Sequence, residues 1–356
     1  MENNILSLTK KLIAIKSTPD NNKALEQCLM EVLTQLKGYT VEMFESNGYK
    51  SALVYNTPKR PKKFKIILNG HLDIIPGKES QYTPQIKNGR LYGVGAMDMK
   101  ASVASFVEVF KEVADKINYP LGIQLVTDEE IGGFNGTKYQ IDNGVRADFV
   151  IVGETTNFKI ENEAKGIIWM KISSNGKTAH GAYPWMGKNA IWRMNDFLNL
   201  LSKKFPLPTK KEWVTTVNLA KITTNNNTFN KIPDQCEIWL DIRYIPEDTK
   251  TVIKAIKDIL PQGFSLQIIV KEPAQFVKND NSFIRQLQKI GRKHLLKSVS
   301  LNQGQGSSDA RHFTRVKTDA VEFGPYGHGM GTDNEWIDVQ SLKQYSHILK
   351  DFLLNN

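Results

Sequence analysis

Apolar residues alternate between two spacings along the chain. Positions 4–16 and 22–37 carry them at helical intervals, with Thr18-Pro19-Asp20 punctuating between the two. Residues 39–44, 51–55 and 64–69 read as strands, the last as a continuous buried run. Asn88-Gly89 predicts a tight turn between short strands. A helix over 100–116, a strand over 121–127, a helix over 136–144 and a strand over 148–152 follow. Strands and helices in alternation predict an α/β sheet covered by helices.

Near residue 166 the character changes. Strand 166–174, helix 187–205, strands 214–221 and 235–244, helix 249–260 and strand 264–270 spell β-α-β-β-α-β, the ferredoxin-like order. Helix 280–295, strand 319–323 and helix 339–353 then return to α/β. The expected architecture is a mixed-sheet α/β domain over 1–165 and 277–356, with a ferredoxin-like α+β domain inserted over 166–276.

Composition narrows the class. The chain has 356 residues, 40% of them hydrophobic, enough for one large or two ordinary cores. Its longest apolar runs are strand-length, and the N-terminal stretch reads as an amphipathic helix start, not a signal peptide. The two cysteines, Cys28 and Cys236, lie far apart and fit a reducing, cytoplasmic setting. The net charge of +10 comes from scattered lysines, with no basic helix or zinc finger. No nucleic-acid or membrane partner is expected; a positive field suits an anionic small substrate.

The chemistry sits where strands end. Gly70-His71-Leu72-Asp73 closes one buried strand, Asp128-Glu129-Glu130 follows a second, and Gly153-Glu154 follows a third. Asp98 comes after a glycine-rich turn and opens an apolar helix. Ligands of α/β sheets gather at the carboxyl ends of strands. Carboxylates crowded there are costly without a cation between them.

Taken in order, His71-Leu72-Asp73, Asp98-Met99-Lys100, Asp128-Glu129-Glu130 and Gly153-Glu154 resemble the M20 family of metallohydrolases. That family includes succinyl-diaminopimelate desuccinylase, acetylornithine deacetylase, aminoacylase and glutamate carboxypeptidases. The resemblance implies two divalent ions, zinc first, with cobalt or manganese tolerated. It implies Asp98 as the bridging ligand, His71 and Glu154 on one metal and Glu130 on the other. Glu129 is then the general base, Asp73 orients His71, and the Asp98–Met99 peptide is cis. His180 resembles an oxyanion-stabilising histidine reaching a partner's site. Asn230, Arg243 and the Gly306-Ser307-Ser308 loop resemble substrate contacts, and the inserted domain implies a homodimer. The family's last histidine ligand falls on Gly331, while His328 stands three residues earlier. Either His328 swings in as a ligand or the second metal lacks its imidazole. The expected activity is removal of a succinyl or acetyl group from an N-acyl amino acid. The alternatives are a dipeptidase or aminopeptidase, or a metal-impaired, non-catalytic binder.

Overall fold

The computed structural model describes residues 2–356, so Met1, the first residue of the expected α/β domain, lies outside the described residues. The chain divides into two compact units. The first comprises the residues up to Glu163 with Phe276–Gln303 and Ser308–Asn356; the second comprises Ala164–Gln275 and Gly304–Ser307.

The first unit is built on a nine-stranded mixed sheet. Its centre is four parallel strands in the spatial order Leu121–Val126, Phe64–His71, Ala147–Val152 and Asp319–Glu322. The hairpin Thr40–Ser46 and Tyr49–Tyr55 extends one side in antiparallel fashion. The central strands read as unbroken apolar runs because helices cover both faces. On one face Leu12, Leu29, Phe106, Phe110, Leu287 and Phe352 close the main core. On the other, Ile141, Ala310 and Phe313 pack over Ile67 and Val150. The class is α/β with a large mixed sheet, as the alternation of patterns predicts.

The second unit holds a four-stranded antiparallel sheet in the spatial order Thr216–Thr224, Gln235–Tyr244, Gly166–Asn175 and Phe264–Glu272. Helices Ala190–Lys204 and Val252–Asp258 complete the β-α-β-β-α-β order. Ile168, Met170, Ile172, Ile238, Leu240 and Phe197 form its own core. Alternate residues of Gln235–Tyr244 are buried, as a sheet with one covered face requires.

Short elements escape the sequence pattern. Strands Ile160–Ala164, Gln275–Phe276, Leu301–Gly304, Gly327–His328 and Trp336–Asp338 are too brief or too polar to announce themselves. Gln85–Lys87 and Arg90–Tyr92 do form the small hairpin expected at Asn88-Gly89, where both residues take positive φ.

Candidate metal and hydrolase site

Register brings the sequence-distant acids together. Strand Phe64–His71 runs parallel to both neighbours, with His71 opposite Val126 and Asn69 opposite Val152. Two residues past each partner lie Asp128 and Glu154, so His71, Asp128–Glu130 and Glu154 emerge at one sheet edge. Gly70 and Gly153 precede two of these residues for a packing reason. A Cβ at Gly70 would meet Val103 Cγ2 at 2.7 Å, and one at Gly153 would meet Phe106 Cζ at 2.6 Å. Helix Ala101–Val113 therefore packs directly against the backbone that delivers His71 and Glu154, and the turn at its N-terminal end carries Asp98.

His71, Asp98 and Glu154 form the group able to hold a metal ion among the described residues, their ligand atoms all within 4.8 Å of one another. His71 Nε2 lies 2.9 Å from Asp98 Oδ1 and 3.7 Å from Glu154 Oε1. Its Nδ1 lies 3.0 Å from the carbonyl oxygen of Asp73, which can only accept, so Nδ1 carries a proton. Nε2 is thereby left to ligate. Burial alone would lower the His71 ring, but bonds to Asp73 and Asp98 and the charge of Glu154 hold it well above its ordinary range. Glu154 is pushed well up, by burial first and then by Asp98. A carboxylate pair and an imidazole packed together, with His71 and Glu154 buried and Asp98 half-buried, are a donor set suited to a divalent cation, which would displace the imidazole proton and neutralise both acids.

Asp73 reaches His71 through its carbonyl more closely than through its carboxylate, which stands 3.5 Å away. The carboxylate Oδ2 instead accepts the Glu130 amide at 2.8 Å, tying the two strand ends together. Glu130 lies outside the three-residue group; its carboxyl accepts the Ile75 amide, and burial raises it to about 7. Glu129 is pushed well above the ordinary carboxyl range, by burial first and then by Asp309 and Asp98 against the opposing charge of His71. The Asp98–Met99 peptide is cis.

The structure does not bring His328 to this group. His328 pairs through its backbone with Trp336, stays exposed and sets its ring against the Trp336 indole at 6.3 Å between centroids. The left-handed turns at Gly329 and Gly331 follow it, and Gly331 contributes no side chain.

The remaining expected residues divide between the units. Gly306, Ser307, His180, Asn230 and Arg243 belong to the second. His180 is exposed, and its Nδ1 accepts the Ala182 amide at 3.2 Å, which assigns the ring proton of the neutral form to Nε2. Asn230 is exposed, and its carbonyl accepts the Gly181 amide. Arg243 already bonds Asp241 through Nε and Nη2, at 2.9 and 3.2 Å. Ser307 Oγ has no hydrogen-bond partner among the described residues. Ser308, in the first unit, donates its hydroxyl to Glu322 Oε1 at 2.5 Å and accepts the Ala310 amide. That hydroxyl holds the turn together and has no proton left to offer a ligand.

Glu335 is not among the residues singled out in the sequence. Its buried carboxylate accepts the amides of Met97 at 2.8 Å, Asp98 at 3.2 Å and Gly95 at 3.1 Å. One side chain thus fixes the turn that carries Asp98. Its signal in the sequence is Asn334-Glu335, which closes the glycine-rich stretch 324–335 and resembles the end of the M20 motif that places the expected histidine at Gly331.

A two-unit α/β protein with a His-Asp-Glu group at a parallel-sheet edge is, on fold and donor set, of the metallohydrolase class. The chain belongs to peptidase family M20/M25/M40, whose model matches residues 67–355. It is 28% identical over 382 residues to succinyl-diaminopimelate desuccinylase of Pelagibacter ubique, covering 98% of this chain and 99% of that one. It is 27% identical to the enzyme of the same name from Buchnera aphidicola over 383 residues, 99% of each chain. Among solved structures, aminopeptidase PepT from Bacillus cereus has the same fold, with a TM-score of 0.81 at 19% identity over 99% of this chain and 98% of that one. A dinuclear metal-binding M20 peptidase from Bacillus subtilis superposes with a TM-score of 0.73 at 14% identity over 99% and 97% of the two chains.

Proposed function

We propose that the protein is a metal-dependent amidohydrolase that removes a succinyl or acetyl group from an N-acyl amino acid. The observation that carries this reading is the His71–Asp98–Glu154 group with Glu129 beside it on the adjoining strand end. The desuccinylases that align over nearly the whole chain favour the acyl-amino-acid class within the family.

His71, Asp98 and Glu154 would hold one divalent cation; Asp98 would share a second with Glu130, to which Gly331 adds no donor. Zinc, or cobalt or manganese in its place, supplies Lewis acidity, polarising the amide carbonyl and making water nucleophilic near neutral pH. Glu129 takes the proton of the attacking water and passes it to the leaving nitrogen. Asp73 keeps the His71 tautomer fixed through its carbonyl and holds the Glu130 turn through its carboxylate. His180, with its proton on the exposed Nε2, is the donor proposed for the developing oxyanion. Asn230, the Arg243 Nη1 and the Gly306-Ser307 amides are the proposed contacts to the substrate's polar ends, an α-carboxylate among them.

The inserted unit, residues 166–276, is proposed to pair two copies of the chain. Its edge strand Thr216–Thr224 exposes Leu219 and Ile222, and helix Ala190–Lys204 exposes Trp192 and Leu200. Sedimentation at micromolar concentration should show twice the chain mass; a monomer would remove this element. A cytoplasmic setting fits two free buried cysteines, Cys28 and Cys236. No helix among the described residues is long and apolar enough to cross a membrane.

The peptidase reading survives because the fold neighbours are peptidases, and an amide beside a carboxylate presents the same chemistry. The non-catalytic reading rests on Gly331. One panel separates all three: N-succinyl amino acids, N-acetyl amino acids and dipeptides, offered to protein loaded with zinc or cobalt. Cleavage of the N-acyl compounds supports the proposal, preference for dipeptides supports the peptidase, and no turnover with no metal retained supports the metal-impaired binder.

A further inference from the structure

The turn that presents Glu129 and Glu130 has little regular structure to hold it. Glu129–Ile131 is a single 3-10 turn, and Gly132 and Gly133 both take left-handed φ, +111° and +64°. Within the turn the Gly132 amide bonds the Glu129 carbonyl and the Gly133 amide bonds the Asp128 carbonyl, both at 2.7 Å. The Gly132 carbonyl points outward from the turn, where it accepts two side-chain donors from one short helix, Ala310–Thr314. Arg311 Nη2 donates to it at 2.5 Å and His312 Nε2 at 2.9 Å. Arg311 Nη1 also donates to the Ser308 carbonyl at 2.6 Å. The fit is close: a Cβ on Gly133 would come within 1.9 Å of Asp309 Oδ1 and 3.1 Å of His312 Nε2. Arg311 and His312 are both buried, so water does not substitute readily for either donor.

We propose that Arg311 and His312 are positioning residues for the hydrolytic step, acting together on the Gly132 carbonyl to hold the Glu129 carboxyl over the reacting water. This rests on the amidohydrolase reading, because a held base matters only if Glu129 is one. The contact at Gly132 is the far anchor of the turn; the bond from the Glu130 amide to Asp73 is the near one. With the far anchor released, the turn pivots about Asp73, and the carboxyl shifts while the His71–Asp98–Glu154 group stays in place. A displacement of about 1 Å in a reacting group costs on the order of 10²-fold in rate.

The test uses the full chain, zinc-loaded, and the panel compound that the wild type cleaves. His312→Leu removes a donor and keeps bulk; His312→Gln returns an N–H to the Nε2 position; Arg311→Met removes the other donor. The expectation is a loss of kcat on the order of 10²-fold in the doubly substituted Arg311→Met, His312→Leu chain, with KM and bound zinc per chain unchanged. His312→Gln should recover most of what His312→Leu loses. Equal kcat in His312→Gln and His312→Leu, or a loss carried by KM alone, would overturn the proposal. If the double variant does not fold, the Gln and Leu pair decides. Hydrogen exchange of residues 127–136 supplies a readout independent of turnover. These amides should exchange faster in His312→Leu than in the wild type, and unchanged exchange would overturn the clamp. A wild type that cleaves no amide defeats the amidohydrolase reading, and exchange alone then decides whether the clamp exists.

Discussion

Glu129 is the residue on which the proposed chemistry turns, and its adjacency to Glu130 made it visible in the sequence. What the sequence could not show was the division of labour among neighbouring acids. Asp73 looked like a carboxylate partner for His71, yet its carbonyl makes the closer contact and its carboxylate takes the Glu130 amide. His328 offered the only nearby imidazole for the vacancy at Gly331, yet strand pairing with Trp336 directs it elsewhere. Both outcomes depend on backbone direction, which residue spacing does not encode. Glu129→Gln keeps the shape and removes the base, so kcat should fall by at least about 10²-fold with bound metal unchanged, measured on the substrate the wild type cleaves. Gly331→His should add metal content if the empty position limits the second ion; unchanged metal per chain would show that it does not.

Among elements, long ones were legible and short ones were not. Strand Gln235–Tyr244 and helix Val339–Leu354 carry full periods of buried residues, so pattern alone finds them. The turn Ala96–Lys100 has no period to read, and its shape is imposed from residue 335. Glu335 takes three amides of that turn onto one buried carboxylate. Replacing it with Gln puts a donor where an acceptor is needed and leaves an amide of the turn unpaired. Zinc affinity should then weaken by about 10- to 100-fold, as for other outer partners of metal ligands, while the thermal midpoint of the metal-free protein falls by only a few degrees. Isothermal titration on Glu335→Gln checks this. Gly70 and Gly153 mark the opposite kind of constraint, a strand pressed against helix Ala101–Val113. Gly153→Ala should cost about 1–3 kcal/mol of stability, read by urea unfolding, because Phe106 and Met99 already fill the space.

For the whole molecule, acids held protonated by burial give stability a pH slope. Glu322 is raised to about 8, by burial first and then by Glu161, and Asp128 to about 7, by burial first and then by Asp309. A carboxyl whose folded pKa lies above its unfolded one binds a proton that the unfolded chain releases. Its contribution is therefore complete below the ordinary carboxyl pKa and is lost as pH climbs through the raised value. The metal-free protein should lose stability between about pH 5 and pH 9. Glu322→Gln, which copies the protonated form, should match the wild type near pH 5 and exceed it near pH 9 by on the order of 3 kcal/mol. Urea midpoints across that range decide the matter. The account as a whole stands on a divalent cation held by His71, Asp98 and Glu154. The most direct measurement is metal bound per chain after zinc loading and exhaustive dialysis, in the wild type and in His71→Ala and Glu154→Ala. The wild type should retain at least one equivalent, and each variant should lose it while staying folded. A wild type that retains no zinc, or variants that retain as much as the wild type, would contradict the account.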